Sequence, residues 1–375
     1  MADFEFAIGD NEFKIKDLGP PLNEQFALLY ESWFTHRLAD FNKEEFINEA
    51  LVYFDAHVDD WPAHNHYFEN FTPIWSTFLR QGRFALAEHI WTLALDSAYR
   101  WEFRRPSHRI HKGTPYYFWA MTVILRGDVD RGFLLMHQAY DEDIQTSRVP
   151  FPDSAARAFI TLDHTKQEQA FRGPVLRIAS FLDDLLKQYR KFRNRSLTLQ
   201  QLRDSTFAVE NLRHAVFSFV FVLFKLRAML INIPSRLRNN TFAGLLETDL
   251  LFQLCLVIEA VVREKNPNEN GLSFREHMAF LSSTAGFKLN KERLGQINRD
   301  FREHFPLTAE KLLRGIYSLS DGSGLQEGEI DIALSYGFRN FGAHNVRGHE
   351  ITYQNLEEIA CRIMNVLFLA VECLY

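Results

Sequence analysis

The amino-acid sequence predicts an all-α protein that carries a short β-hairpin at its N-terminus. Phenylalanine is strongly enriched, with 35 Phe against 12 Tyr and 6 Trp, and its side chain suits helix packing because it fills space without a polar group. From Leu22 onward, large apolar residues recur every three or four positions, which is the period of an amphipathic helix. Residues 3–16 instead alternate apolar and polar around Gly9-Asp10-Asn11, which predicts two strands and a tight turn.

The composition is that of a globular protein with two or three domains, because 375 residues with 46% hydrophobic content allow a large core. The formal net charge of −6 gives no overall attraction to nucleic acid. Any RNA-binding site is therefore expected to be a local basic patch.

Cysteine usage and the apolar stretches favour a cytoplasmic protein without a membrane partner. The three cysteines, Cys255, Cys361 and Cys373, lie at apolar helical positions and form no CxxC pair, which is typical of a reducing compartment. The N-terminus lacks the basic and apolar regions of a signal peptide. The most apolar stretch, Ala215–Phe224, has ten residues and is expected to be too short to span a bilayer.

Residues 1–150 are predicted to form the β-hairpin and a series of helical hairpins. Two stretches between about 70 and 145 each contain large apolar residues, a glycine turn (Gly82 and Gly127) and a second helix with small residues. They resemble tetratricopeptide-type repeats, which stack into a concave surface for a peptide or another domain. The insertion Arg100–Lys112 breaks the regular period. A plain array of helical hairpins packed on the rest of the protein is an equal alternative.

The remainder of the chain is predicted to form a middle helical region, 151–234, and a C-terminal helical domain, 235–375. Prolines mark both boundaries, at Pro150 and Pro152 and again at Pro234. The C-terminal domain opens with a strongly amphipathic helix, Phe242–Lys265. Further helices are expected at about 273–283, 290–303, 308–318, 329–344 and 353–373, with a flexible loop at Ser320–Gly324.

One short run near the C-terminus carries the strongest indication of chemistry: Arg339-Asn340-Phe341-Gly342-Ala343-His344. On a helix, Arg339 and His344 lie about a turn and a half apart. Arginine is a permanent cation and histidine titrates near neutral pH, which is the pair that phosphodiester cleavage needs. The bare Arg-x4–6-His pattern also occurs at six other places in the chain, so the context of the motif has to distinguish it.

That context resembles the higher-eukaryote and prokaryote nucleotide-binding (HEPN) superfamily over roughly residues 240–375. HEPN ribonucleases carry Arg, then a polar residue such as Asn, then His after four to six positions, in an all-helical domain. Asn345-Val346 follow the histidine here, which does not favour the His-x-Tyr variant linked to nucleotidyltransferase antitoxins. The resemblance implies a homodimer with one composite site, RNA products ending in 2′,3′-cyclic phosphate, and a role in bacterial antiviral defence or as a toxin.

The residues themselves indicate a metal-independent endoribonuclease that needs no cofactor. His344 can act as general base or acid on RNA, and the Arg339 guanidinium can bind two phosphate oxygens at once. Asn340 can donate to phosphate or hold His344 in one tautomer. The alternative is a packing junction, in which Arg339 pairs with Glu259 or Glu350 and His344 ends a helix.

The most basic segment, Arg100–Lys112, interleaves cations with aromatic residues and offers possible substrate-binding residues: Arg104, Arg105, Arg109 and Lys112. It is equally compatible with a solvated loop. The competing function is a non-catalytic interaction protein, with a dimerising helical bundle and partner-binding helical hairpins. A regulatory protein or a nucleotide is conceivable as a further ligand, although no motif identifies one.

Overall fold

The structure is a computed structural model that describes residues 4–8, 11–15, 72–146, 154–233, 241–266, 273–344 and 349–375. Within these ranges the protein is mostly helical, which confirms the prediction of an all-α protein. The chain forms two compact units. The first comprises Met1–Phe159 and Thr165–Arg172, and the second comprises Ile160–His164 and Gly173–Tyr375. The second unit therefore contains most of the middle region and all of the C-terminal region.

The first unit includes two five-residue strands, β1 (Phe4–Ile8) and β2 (Asn11–Ile15). They pair antiparallel, with Phe6 opposite Phe13.

The first four helices of the first unit follow one another along the chain, and each of them packs against the next. The unit's helices are α1 (Thr72–Arg80), α2 (Phe84–Arg104), α3 (Gly113–Arg126), α4 (Val129–Thr146) and α5 (Ala155–Ile160). Gly127 ends α3 with a φ of +102°, a left-handed conformation that glycine adopts without strain. Gly132 lets α4 approach α3 closely, because a Cβ there would lie 2.3 Å from Ile124 Cγ1.

The core of the first unit is aromatic, as the phenylalanine content indicates. The Trp91 and Phe118 rings stack with centroids 5.0 Å apart. The Trp75 indole N–H donates to Thr122 Oγ1 at 2.7 Å, which satisfies a buried polar group. The core thus combines dispersion contacts between rings with few polar groups.

The second unit contains nine helices among its described residues, and α6 begins in the first unit. They are α6 (Gln169–Arg193), α7 (Leu199–Ser205), α8 (Arg213–Asn232), α9 (Thr241–Lys265), α10 (Phe274–Thr284), α11 (Lys291–Leu313), α12 (Glu327–His344), α13 (Glu350–Gln354) and α14 (Leu356–Leu374). The sequence predicts two helices here, at about 290–303 and 308–318. The structure has two helical segments within α11, which meet at a kink at His304 (φ −141°, ψ 49°), because Pro306 cannot continue a regular helix.

The apolar helix α14 lies at the centre of the second unit and packs on α9 and α12. A polar cluster ties α6, α12 and α14 together. Asp331 accepts hydrogen bonds from Arg193 at 2.7 and 2.9 Å and from Arg362 at 3.1 Å. Burial raises the pKa of Asp331, and the two guanidinium groups partly offset that effect.

Helix α8 lies in an apolar span that is longer than the ten-residue stretch Ala215–Phe224. The span Glu210–Ile231 is long and apolar enough to cross a bilayer by length and composition, with a mean hydropathy of 1.8 in its most apolar window. The stretch Ala215–Phe224, expected to be too short for this, lies inside that span. Core helices of soluble proteins pass the same test, and half of the window is buried within the protein.

Candidate functional site

Helix α12, which carries the Arg-Asn motif, is held close to its neighbours by two glycines. A Cβ on Gly337 would lie 2.3 Å from Phe301 Cζ on α11, and a Cβ on Gly342 would lie 2.8 Å from Phe252 Cβ on α9. Larger side chains would push these helices apart. The glycines therefore bring the motif against both α9 and α11.

Arg339 is the best-defined member of the site. Its side chain is 27% exposed, and its Nη2 lies 3.4 Å from Glu259 Oε2 on α9. The guanidinium also lies over the Phe274 ring at 5.5 Å, an arrangement that favours a cation. Its Nε is buried and makes no hydrogen bond within the part of the chain that the structure describes. Of the two carboxylates considered from sequence, Glu259 is the one in contact.

Asn340 is anchored to α11. Its Nδ2 donates to Asn298 Oδ1 at 2.8 Å. Its side chain also hydrogen-bonds to Tyr336, whose pKa is raised by burial and partly lowered again by this bond. Asn340 is consequently held by its neighbours on two helices, which fixes the side of α12 that bears Arg339.

His344 is the last residue of α12, and its side chain lies outside the described residues, as do residues 345–348. The helix places its backbone about 7.5 Å beyond Arg339 along the axis, from five residues at a rise of about 1.5 Å each.

Aromatic contacts define the position of the last turn of α12. The Phe341 ring stacks on Phe305 with centroids 3.6 Å apart and planes 8° from parallel. The His349 ring meets the edge of Phe305 at 5.5 Å, and His349 Nδ1 accepts a hydrogen bond from the Ile351 N–H at the start of α13. The kink of α11 places Phe305 where both rings can reach it.

His277 is a buried residue near the site that sequence reasoning missed. It lies one turn after Phe274 on α10, on the same helical face, and its Nδ1 is 3.4 Å from Asn266 Nδ2. Burial lowers its pKa, and the nearby Arg263 lowers it further, whereas Glu259 and Glu276 act in the opposite direction. The spacing of three from Phe274 is the sequence signal that would have placed it on this face.

The basic segment of the first unit is largely neutralised by carboxylates. Lys112 is fully buried, with Nζ 2.5 Å from Glu102 Oε1 and 3.6 Å from Glu142 Oε2. Arg109 pairs with Glu142 at 2.7 Å. The ammonium of Lys112 does not reach solvent, so this geometry does not support the predicted substrate-binding role for Lys112.

Arg104 and Arg105, the two other cations predicted to bind substrate, have different surroundings. The Arg104 side chain is exposed and donates to the Arg100 carbonyl at 3.2 Å. The Arg105 guanidinium lies over the Trp101 ring at 4.9 Å. Phe103 precedes Arg104 in the sequence, and its side chain is 88% exposed. The surface of α2 near its end thus presents cations beside one aromatic ring.

Comparison with protein-family models, with curated proteins and with solved structures finds no match to this chain. The fold and the site define an all-helical protein with a partly exposed arginine, an anchored asparagine and a histidine on one helix. No group of three or more His, Cys, Asp or Glu side chains that could hold a metal ion occurs among the described residues. The candidate site therefore consists of side chains on α9, α10, α11 and α12.

Proposed function

We propose that this protein is a metal-independent endoribonuclease whose site consists of Arg339, Asn340 and His344 and is completed across a homodimer. The proposal places a HEPN-like bundle in residues 235–375, with repeat-like helical hairpins before it that regulate the enzyme. The observation that supports it most is Arg339. Its side chain is 27% exposed and its ion pair with Glu259 is long, at 3.4 Å, which leaves part of the guanidinium available for phosphate.

The proposed reaction is attack of the RNA 2′-hydroxyl on the adjacent phosphorus. A histidine removes the 2′-hydroxyl proton as the 2′-oxygen bonds to phosphorus and the bond to the 5′-oxygen breaks. A second imidazole, from His344 of the partner subunit, gives a proton to the departing 5′-oxygen. Arg339 stabilises the charge that develops on the phosphoryl oxygens, which is where preorganised cations act most strongly. The products are a 2′,3′-cyclic phosphate and a 5′-hydroxyl.

Glu259 is assigned a positioning role in this scheme. Its carboxylate is mostly buried and lies against one side of the guanidinium. The Phe274 ring covers the guanidinium in a second direction. These contacts fix the arginine before substrate arrives, so that binding phosphate does not require it to be ordered first. The role in antiviral defence or as a toxin is proposed from the resemblance of the motif to HEPN ribonucleases.

The test is cleavage of mixed single-stranded RNA and tRNA in EDTA by the wild type, His344→Ala and His304→Ala. His304 is the matched control, because Arg299 and His304 repeat the Arg-x4-His spacing on the same unit and His304 is exposed. Loss of general acid–base catalysis predicts a rate about 10²–10⁴-fold lower in His344→Ala. His304→Ala is expected to retain the wild-type rate. Equal cleavage by all three proteins, or dependence on a divalent metal, would refute the proposal.

A non-catalytic interaction protein is the second candidate function. It is favoured by the contacts of Arg339 with Glu259 and of Asn340 with Asn298, which join three helices as a packing junction does. In that case no protein in the assay cleaves RNA, and Arg339→Ala lowers the unfolding temperature instead. The helical hairpins of the first unit would then bind the partner.

A further inference from the structure

One face of α9 is exposed and combines large apolar side chains with opposite charges. Phe242, Leu246 and Leu256 are 69%, 43% and 41% exposed. Asp249 and Arg263 are exposed on the same helix. Monomeric surfaces expose single apolar residues routinely, whereas an apolar row along one helix is typical of an interaction surface.

The charges on this face are symmetric about Leu256. Asp249 precedes Leu256 by seven residues and Arg263 follows it by seven. Seven residues are close to two helical turns, so the three side chains lie within about 40° of one another around the helix. The Gln253 amide donates to Asp249 at 2.7 Å, which holds that carboxylate on the same face.

We propose that this face of α9 binds the same face of a second copy of the chain. The two helices run antiparallel about a two-fold axis at Leu256. In this register the two Leu256 side chains meet at the axis, and each Asp249 lies opposite Arg263 of the partner subunit. A two-fold interface uses the same patch twice and so requires a surface complementary to itself. The charge pattern of α9 meets that requirement.

Other registers match the pattern less well. An axis at Asp249 would place Phe242 opposite Leu256 of the partner subunit, and it would bury more apolar surface. It would also bring the two Asp249 carboxylates together at the axis, where like charges repel. The register at Leu256 instead places each Asp249 opposite an Arg263.

The pairing has a consequence for the nuclease site, and this consequence alone rests on the proposed function. Glu259 follows Leu256 by three residues, so the two Glu259 residues lie six positions apart, about 9 Å along the paired helices. Each Glu259 contacts its own Arg339. The two arginine sites therefore lie near one another on either side of the axis, as a site shared by two subunits requires.

The test is a charge exchange in the full chain, with the dimer dissociation constant measured by sedimentation equilibrium in the absence of RNA. Asp249→Arg and Arg263→Asp each create two like-charge contacts and are expected to raise the dissociation constant about 100-fold. The combined variant restores both pairs and is expected to return the constant to within about threefold of wild type. Arg302→Asp and Glu303→Arg, exposed on α11, are charge-matched controls expected to change nothing.

If a single variant failed to dimerise because it was unfolded, adding the second substitution would not restore dimerisation. Circular dichroism of each single variant measures its helical content directly. A monomeric wild type would overturn the proposal, as would single variants that dimerise as the wild type does. Tighter association in Asp249→Leu would overturn it in favour of the register centred on Asp249. Because no RNA is present, each of these results is independent of whether the protein cleaves RNA.

Discussion

At the scale of single residues, Lys112 is a fully buried cation of the first unit, and its lost hydration has to be compensated by neighbouring groups. Its ammonium is fully removed from solvent and lies between the carboxylates of Glu102 and Glu142. It also donates to the Ile110 carbonyl at 2.9 Å. A buried ion of this kind is tolerated when its partners compensate for lost hydration. The cluster therefore holds the segment that connects α2 to α3.

We predict that Lys112→Met destabilises the protein by about 3–5 kcal/mol, because it leaves two carboxylates without their shared counter-ion. Urea denaturation followed by circular dichroism measures the change. Arg104→Met in the same segment is the control, since Arg104 is exposed, and it is expected to cost less than about 0.5 kcal/mol. Equal stabilities of the two variants would show that the buried pair contributes little.

His277 provides a pH dependence of stability. Its pKa in the folded protein is lowered below the ordinary value of 6.5, mainly by burial. The folded state therefore favours the neutral ring. This stabilisation is complete above the unfolded pKa and is lost as the pH falls from about 6.5 through the folded pKa. Each unit of lowering corresponds to about 1.4 kcal/mol.

The prediction is tested by comparing His277→Gln with the wild type at pH 8 and pH 5. Glutamine has no proton to gain, and it retains a polar group for Asn266. The wild type is expected to lose more of its free energy of unfolding between these pH values than the variant does. An identical loss in both proteins would assign the pH dependence to other groups.

At the scale of elements, the close approach of α12 to α11 depends on Gly337. A methyl group there would overlap the Phe301 ring, so Gly337→Ala is expected to destabilise the protein by about 1–3 kcal/mol.

Gly295→Ala on α11 is the matched control. A Cβ at position 295 would meet nothing nearer than the end of the Arg275 side chain, at 3.4 Å. Removing a helical glycine should then stabilise by about 0.5–1 kcal/mol. The opposite order of stabilities would mean that α12 does not need this contact.

Helices were the part of the fold that sequence periodicity could predict. The predicted helix Phe242–Lys265 differs from α9 by one residue at its start. Pro306 also marks the boundary between the two predicted helices, and the structure interrupts the helical backbone close by, at His304. The sequence predicts a gap over 304–307, whereas the non-helical backbone is confined to His304, because a proline disturbs the turn that precedes it and the chain resumes the helix at once.

At the scale of the whole molecule, the site depends on contacts between distant parts of the chain. Arg339 and Glu259 are separated by 80 residues, and Asn340 and Asn298 by 42. From the sequence, Glu259 and Glu350 are the two possible partners of Arg339, because each is a carboxylate on or next to a predicted neighbouring helix. The sequence does not reveal Asn298, His277 or the burial of Lys112, since none of these has a local signal. Such environments follow from which helices pack together.

Subunit mixing tests whether two copies of the chain build one ribonuclease site. Wild-type and His344→Ala chains carrying two different affinity tags are mixed, and the mixed dimers are isolated with both tags. Because the proposed reaction takes one imidazole from each subunit, we expect these dimers to cleave single-stranded RNA in EDTA about 10²–10⁴-fold more slowly than wild type. Purified mixed dimers that cleave at half the wild-type rate would contradict this, since each wild-type chain would then carry a complete site of its own.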